Sequence, residues 1–206
     1  RMSEKREIIT YVPISLREFT KNWKNIYCPV ELHLPPDDKW RPEYEAAVKP
    51  VLESLDQIRI HAPSLFNPFL SYISQKVGGV DVTFHFSSAR PLGLMDRIMD
   101  LLHWGFSLYM ENDPPINYVT KAVFPTSSMA KLFAFLHDAG EYVVRSRQLG
   151  FCVDFVHLLK AYQYRYNSFA LAFSTIRKEL ARIKEKFDVE IPICFHIGGI
   201  DPDKPT

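Results

Sequence analysis

Four histidines occupy the same place in four short apolar stretches: "VELHL" (30–34), "IRIHA" (58–62), "VTFHF" (82–86) and "ICFHI" (193–197). In each, apolar and polar residues alternate, the period of a strand with one face in a core. Val30, Leu32 and Leu34 oppose Glu31 and His33, and Ile58, Ile60 and Ala62 oppose Arg59 and His61. Val82, Phe84 and Phe86 oppose Thr83 and His85, while Ile193, Phe195 and Ile197 oppose Cys194 and His196. Imidazole ligates metals and moves protons near neutral pH. Strands that are neighbours lie about 4.8 Å apart, so His33, His61 and His85 would form a row along the polar face. Three such imidazoles with an open fourth position can hold zinc, with Glu31 or Asp81 as a helping carboxylate. No H-E-x-x-H or C-x-x-C spacing accompanies them. The row therefore depends wholly on how the strands are arranged.

Other chemical signatures are thin. "HFS" (85–87) is half of a paired H-x-[ST] pattern, and no second half follows. There is no Walker A loop and no G-x-G-x-x-G, so no cofactor is expected. "AYQYRYNSF" (161–169) interleaves tyrosines with Arg165 as a base-stacking platform would on a strand. On a helix Tyr164 points away from Tyr162 and Tyr166, and the platform is lost.

The elements that must position these groups alternate along the first half. Strands are expected at 7–14, 29–34, 57–62, 80–86 and, more weakly, 117–124, with a last one at 191–199. Between them lie helical stretches: "RPEYEAAVKPVLESL", "NPFLSYISQKV" and "PLGLMDRIMDLLHWGFSLYMEN". The last of these carries an apolar stripe of Leu94, Ile98, Leu101, Leu102 and Tyr109. In the second half the spacing of Met129 through Val144 is helical. Phe155, Leu159, Tyr162, Tyr166, Phe169, Phe173, Ile176, Leu180, Ile183 and Phe187 then alternate steps of four and three. That rhythm predicts one long helix over 153–187, against the strand-like look of "FCVDFV".

Strands apolar on one face only predict an α/β (or α+β) fold with a one-sided, mostly parallel sheet, its helices on one face and its polar face open. A long C-terminal helical hairpin completes it. The expected divisions are a sheet region over 1–126, the hairpin over 127–190 and a returning strand with its tail over 191–206, in one compact domain.

Bulk properties narrow the function. The chain has 206 residues, 47% hydrophobic and 24% charged, with a formal charge of +1. It is long enough to bury a full core. Its charge offers no global attraction to nucleic acid or anionic membranes. Three cysteines without metal-type spacing point to a reducing, intracellular setting, the cytoplasm or an organelle reached by a removed leader. No apolar run reaches transmembrane length. With no assembled catalytic motif, the expected role is a non-catalytic subunit that binds other protein chains. Its contact surfaces would be the open sheet face (Glu31, His33, Arg59, His61, Thr83, His85) and the long helix (Arg177, Arg182). The alternatives are a metal-dependent hydrolase using His33, His61 and His85, and a nucleocapsid-type nucleic-acid-binding protein.

Overall fold

The computed structural model describes residues 9–36, 39, 42–74, 80–85, 93–111, 148–156 and 169–197. Among them, seven strands form one sheet: β1 (Val12–Ser15), β2 (Val30–His33), β3 (Ile58–Ala62), β4 (Asp81–His85), β5 (Ser107–Glu111), β6 (Leu149–Asp154) and β7 (Ile193–His196). They are hydrogen-bonded in chain order, and every pairing is parallel. Parallel neighbours require crossovers, and five of the six here carry a described α-helix. These are α1 (Leu16–Asn22), α2 (Val48–Glu53), α3 (Pro68–Ser74), α4 (Leu94–His103) and α5 (Phe169–Phe187).

The sheet is curled. In the strand order β2 and β7 stand five places apart, about 24 Å in a flat sheet. Yet His196 on β7 reaches Glu31 on β2 at 2.8 Å. Sequential parallel strands that curl on themselves, with helices outside, are the geometry of β/α barrels.

Register assigns each residue a face. Leu32, Ile60, Val82, Leu108 and Leu149 follow one another across the strands, as do Ala62, Phe84, Met110 and Phe151. These rows point outward and are buried beneath the helices. Leu16 and Phe19 of α1, Val51 of α2, Phe69, Leu70 and Ile73 of α3, Ile98, Leu101 and Leu102 of α4, and Ile176 and Ile183 of α5 join them in a single core.

Local chemistry sets the helix ends. Ser15 and Glu18 form a reciprocal capping box at α1, each accepting the other's backbone N–H. Before α3, Asn67 accepts from the Phe69 N–H and donates to the Pro35 carbonyl, fastening the helix start to the segment after β2.

The α/β class and the one-sided distribution of apolar residues agree with the sequence. Three expectations change. The stretch beginning "PLGLMD" is not one helix through Tyr109: α4 stops at His103, Gly105 adopts a left-handed φ of +87°, and β5 begins at Ser107. Only glycine takes that turn at no steric cost, which frees "SLYME" to run as a strand. Nor is 153–187 one helix. Residues 149–154 are β6, so the expected helix does not begin at Val153; of the described residues beyond, 155–156 are helical and α5 spans Phe169–Phe187. "FCVDFV" looks strand-like because its first part is a strand, and pairing with β5 and β7 overrides the helical rhythm there. Finally, the polar face is not an open plane. It is the concave inside of the curl, where Glu31, Arg59 and Thr83 are buried. The hairpin partner at 127–147, the 117–124 strand and the tyrosines of 161–168 lie outside the described residues.

Candidate metal and acid–base centre

Parallel strands present all their C-terminal ends at one rim of the curl, and six strands bring an ionisable residue there. His33, His85, Glu111, Asp154 and His196 are the last residues of β2, β4, β5, β6 and β7, and His61 is the next to last of β3. In a strand, residues two apart share a face. Glu31 therefore lies below His33, and Arg59 below His61.

Glu111 is the hub. Its carboxylate lies 2.8 Å from His61 Nε2, 3.6 Å from His85 Nε2 and 3.5 Å from His196 Nδ1. Across the curl the other nitrogen of His196 meets Glu31 at 2.8 Å, and Glu31 lies 3.5 Å from His33 Nε2. Asp154 comes within 3.8 Å of His196. The rings pack on each other as well: His33 stacks on His61 at 4.5 Å and His85 meets it edge-on at 5.1 Å. His61 is thus held between two imidazoles, its Nε2 aimed at the hub.

The electrostatics follow from these contacts. Burial alone would raise the Glu111 and Glu31 carboxyls. Hydrogen bonds from His196, joined by that of His61 at Glu111 and by the nearby His33 imidazole at Glu31, hold both well below the usual carboxylate range. Burial works against charge on His196, but its bonds to Glu111 and Glu31 overcome that and raise it to about 10. At neutral pH the imidazolium of His196 therefore carries a positive charge between two carboxylates.

His61, Glu111 and His196 each offer a ligand atom within 4.8 Å of the others. Two imidazoles and one carboxylate are a familiar tetrahedral zinc set that keeps a fourth position open. Ligand atoms on such an ion stand about 3.4 Å apart for bonds near 2.1 Å. The His61–Glu111 contact would open by roughly half an ångström and the His196–Glu111 separation already fits. With Nδ1 of His196 toward the ion, Glu31 would accept from Nε2–H, the carboxylate–histidine arrangement that fixes tautomer and ring orientation.

Of the expected row His33, His61 and His85, only His61 belongs to this ligand group. The other two ligands come from β5 and β7. Glu111 escapes sequence reasoning because the helical stripe before its strand is read through it. His196 is visible as the fourth histidine strand, but nothing in the chain tells that β7 returns opposite β2. Arg59 and Thr83 lie deeper in the curl, whereas Arg177 and Arg182 are exposed on α5.

Beneath the histidines the curl is lined by Arg59, Asp81, Tyr109, Cys152 and Cys194. The two cysteines are register partners on β6 and β7, both free. Burial pushes the Cys152 thiol up, and its hydrogen bond to Cys194 adds to this. Burial, with Asp81 next, pushes Tyr109 up to about 12. No helix among the described residues is long and apolar enough to cross a membrane. No family description, curated protein or solved structure matches the chain.

Proposed function

We propose that the protein is a metal-dependent hydrolase whose centre sits at the C-terminal rim of the curled sheet. The observation that carries this reading is the convergence of His61, Glu111 and His196 from β3, β5 and β7. The rim is where β/α barrels place their chemistry, since loops of many strands meet there. A divalent ion at these ligands would supply Lewis acidity and an activated water. His85, 3.6 Å from Glu111, is the nearest imidazole outside the ligand group and suits proton transfer to a leaving group. His33 stacks behind His61 and keeps its ring in place.

The test is metal retention. Purified protein is equilibrated with zinc, dialysed and analysed for bound metal. About one zinc per chain is expected in the wild type. His61→Ala and Glu111→Gln should each lose most of it while keeping their circular dichroism. Absence of zinc, manganese and iron alike, or retention unaffected by both substitutions, would remove the reading.

A second reading, a non-catalytic subunit of a protein assembly, has its own support. The outward residues of β7 are exposed, Ile193 at 42% and Phe195 at 53%. Arg177 and Arg182 are exposed on α5. Light scattering after size exclusion tests it, a stable oligomer or co-purifying chain being the expected result.

A further inference from the structure

Resting on the hydrolase reading, we propose that Arg59 is the anchor for an oxyanion of the substrate, a carboxylate or a phosphate group gripped side-on by Nε and Nη2. Arg59 lies on the concave face and is only 9% exposed. Its Nε and Nη2 atoms are buried and make no hydrogen bond among the described residues. These two nitrogens share one edge of the guanidinium, the edge that grips two oxygens through parallel N–H bonds. A buried guanidinium seldom leaves such an edge unmet, because the desolvation it has suffered is then uncompensated.

The surroundings hold the guanidinium in place and leave that edge without a hydrogen-bond partner among the described residues. The Tyr109 ring lies against the guanidinium at 4.3 Å, fixing its plane. Gly150 makes room for this ring, since a Cβ there would come within 2.8 Å of it. Two carboxylates could have capped Arg59. Glu31, its register partner on β2, is bonded to His196 and faces His33. Asp81 on β4 is hydrogen-bonded to Ser107. Neither accepts a hydrogen bond from the side-on edge.

Position supplies the substrate class. Arg59 precedes His61 by two residues on the same face, about 7 Å along the strand. A backbone spacing of that size suits a compact substrate whose oxyanion and scissile bond lie only a few bonds apart. A small anionic ester, amide or related compound fits, with its charged end deep in the curl and its reacting end at His61, Glu111 and His196.

The experiment titrates inorganic phosphate and, separately, acetate into EDTA-treated protein by calorimetry. At least one probe should bind the wild type. Arg59→Gln should weaken it at least tenfold, and Arg59→Lys should restore part of the loss, since lysine keeps the charge without the fork. Which probe binds separates phosphate from carboxylate substrates. Binding unchanged in Arg59→Gln, or binding of neither probe to the wild type, overturns the proposal. Should Arg59→Gln fail to fold, the Arg59 Nε–H resonance of the wild type decides. A shift at saturating probe supports the anchor and a stationary signal overturns it. Because metal is absent throughout, failure here is distinct from failure to retain zinc.

Discussion

The two faces of the sheet are made by the same strands with the same alternation, yet they differ in how much each position matters. On the outer face, Leu32, Ile60, Val82, Leu108 and Leu149 are interchangeable in role, each filling its share of a common core under the helices. On the inner face no two residues are equivalent. Glu111 is a hub for three histidines, Glu31 joins β2 to β7 across the curl, and Arg59 lies deeper against Tyr109. Apolar packing is non-directional and shared among many contacts. A hydrogen-bonded cluster is directional, and each member has a specific partner. The outer face should therefore govern stability, and the inner face chemistry.

The sharpest way to break this contrast is to truncate one residue on each side. Phe151, fully buried on the outward face of β6, is expected to cost about 3–5 kcal/mol as Phe151→Ala. Denaturant unfolding would show that loss, while zinc affinity of the folded fraction stays at the wild-type level. An equal collapse of zinc affinity would mean that the faces cannot be separated.

On the inner face, Glu31→Gln tests a residue that, in the proposed metal site, would orient His196 without touching the ion. Its loss should lower zinc affinity roughly 10–100-fold. The outward rows remain intact, so the unfolding transition should keep its cooperativity. Equilibrium dialysis against a chelator series measures the affinity, and an unchanged value would confine Glu31 to a structural role.

The smallest effect concerns Tyr109, whose hydroxyl is pushed up to about 12 by burial. The unfolded chain loses this proton near pH 10, before the folded one does, so the folded state binds more protons above that point. Stability should fall as pH rises from 10 toward 12, and Tyr109→Phe should flatten that part of the slope. Alkaline denaturation of both proteins checks it. An identical slope would place the titration elsewhere.

How much was legible follows the same division. Alternation in "VELHL", "IRIHA", "VTFHF" and "ICFHI" reveals strand, outward face and inward histidine together, because period-two burial leaves its mark on each residue. β5 was hidden because "SLYME" follows a strong helical stripe, and only Gly105 marks the break. β6 is overruled, not invisible: "FCVDFV" looks like a strand, but the 4-3 rhythm that starts at Phe155 is carried back across it. The site was legible in residue type and not in membership. His61, Glu111 and His196 are joined by the curl of the sheet, and nothing local in the chain encodes which strands it brings face to face.

The contact between Glu31 and His196 spans 165 positions of the chain. Each earlier strand can settle beside the one made just before it, so most of the scaffold can assemble as the polypeptide emerges. The cluster is different: its closing imidazole, His196, arrives with β7, the last of the described strands. A nascent copy with β1 to β6 in place would present Glu31 and Glu111 without their common imidazole. On the proposed reading, the ligand group is thus incomplete until synthesis has passed residue 196, and chains ending before it would hold no metal there.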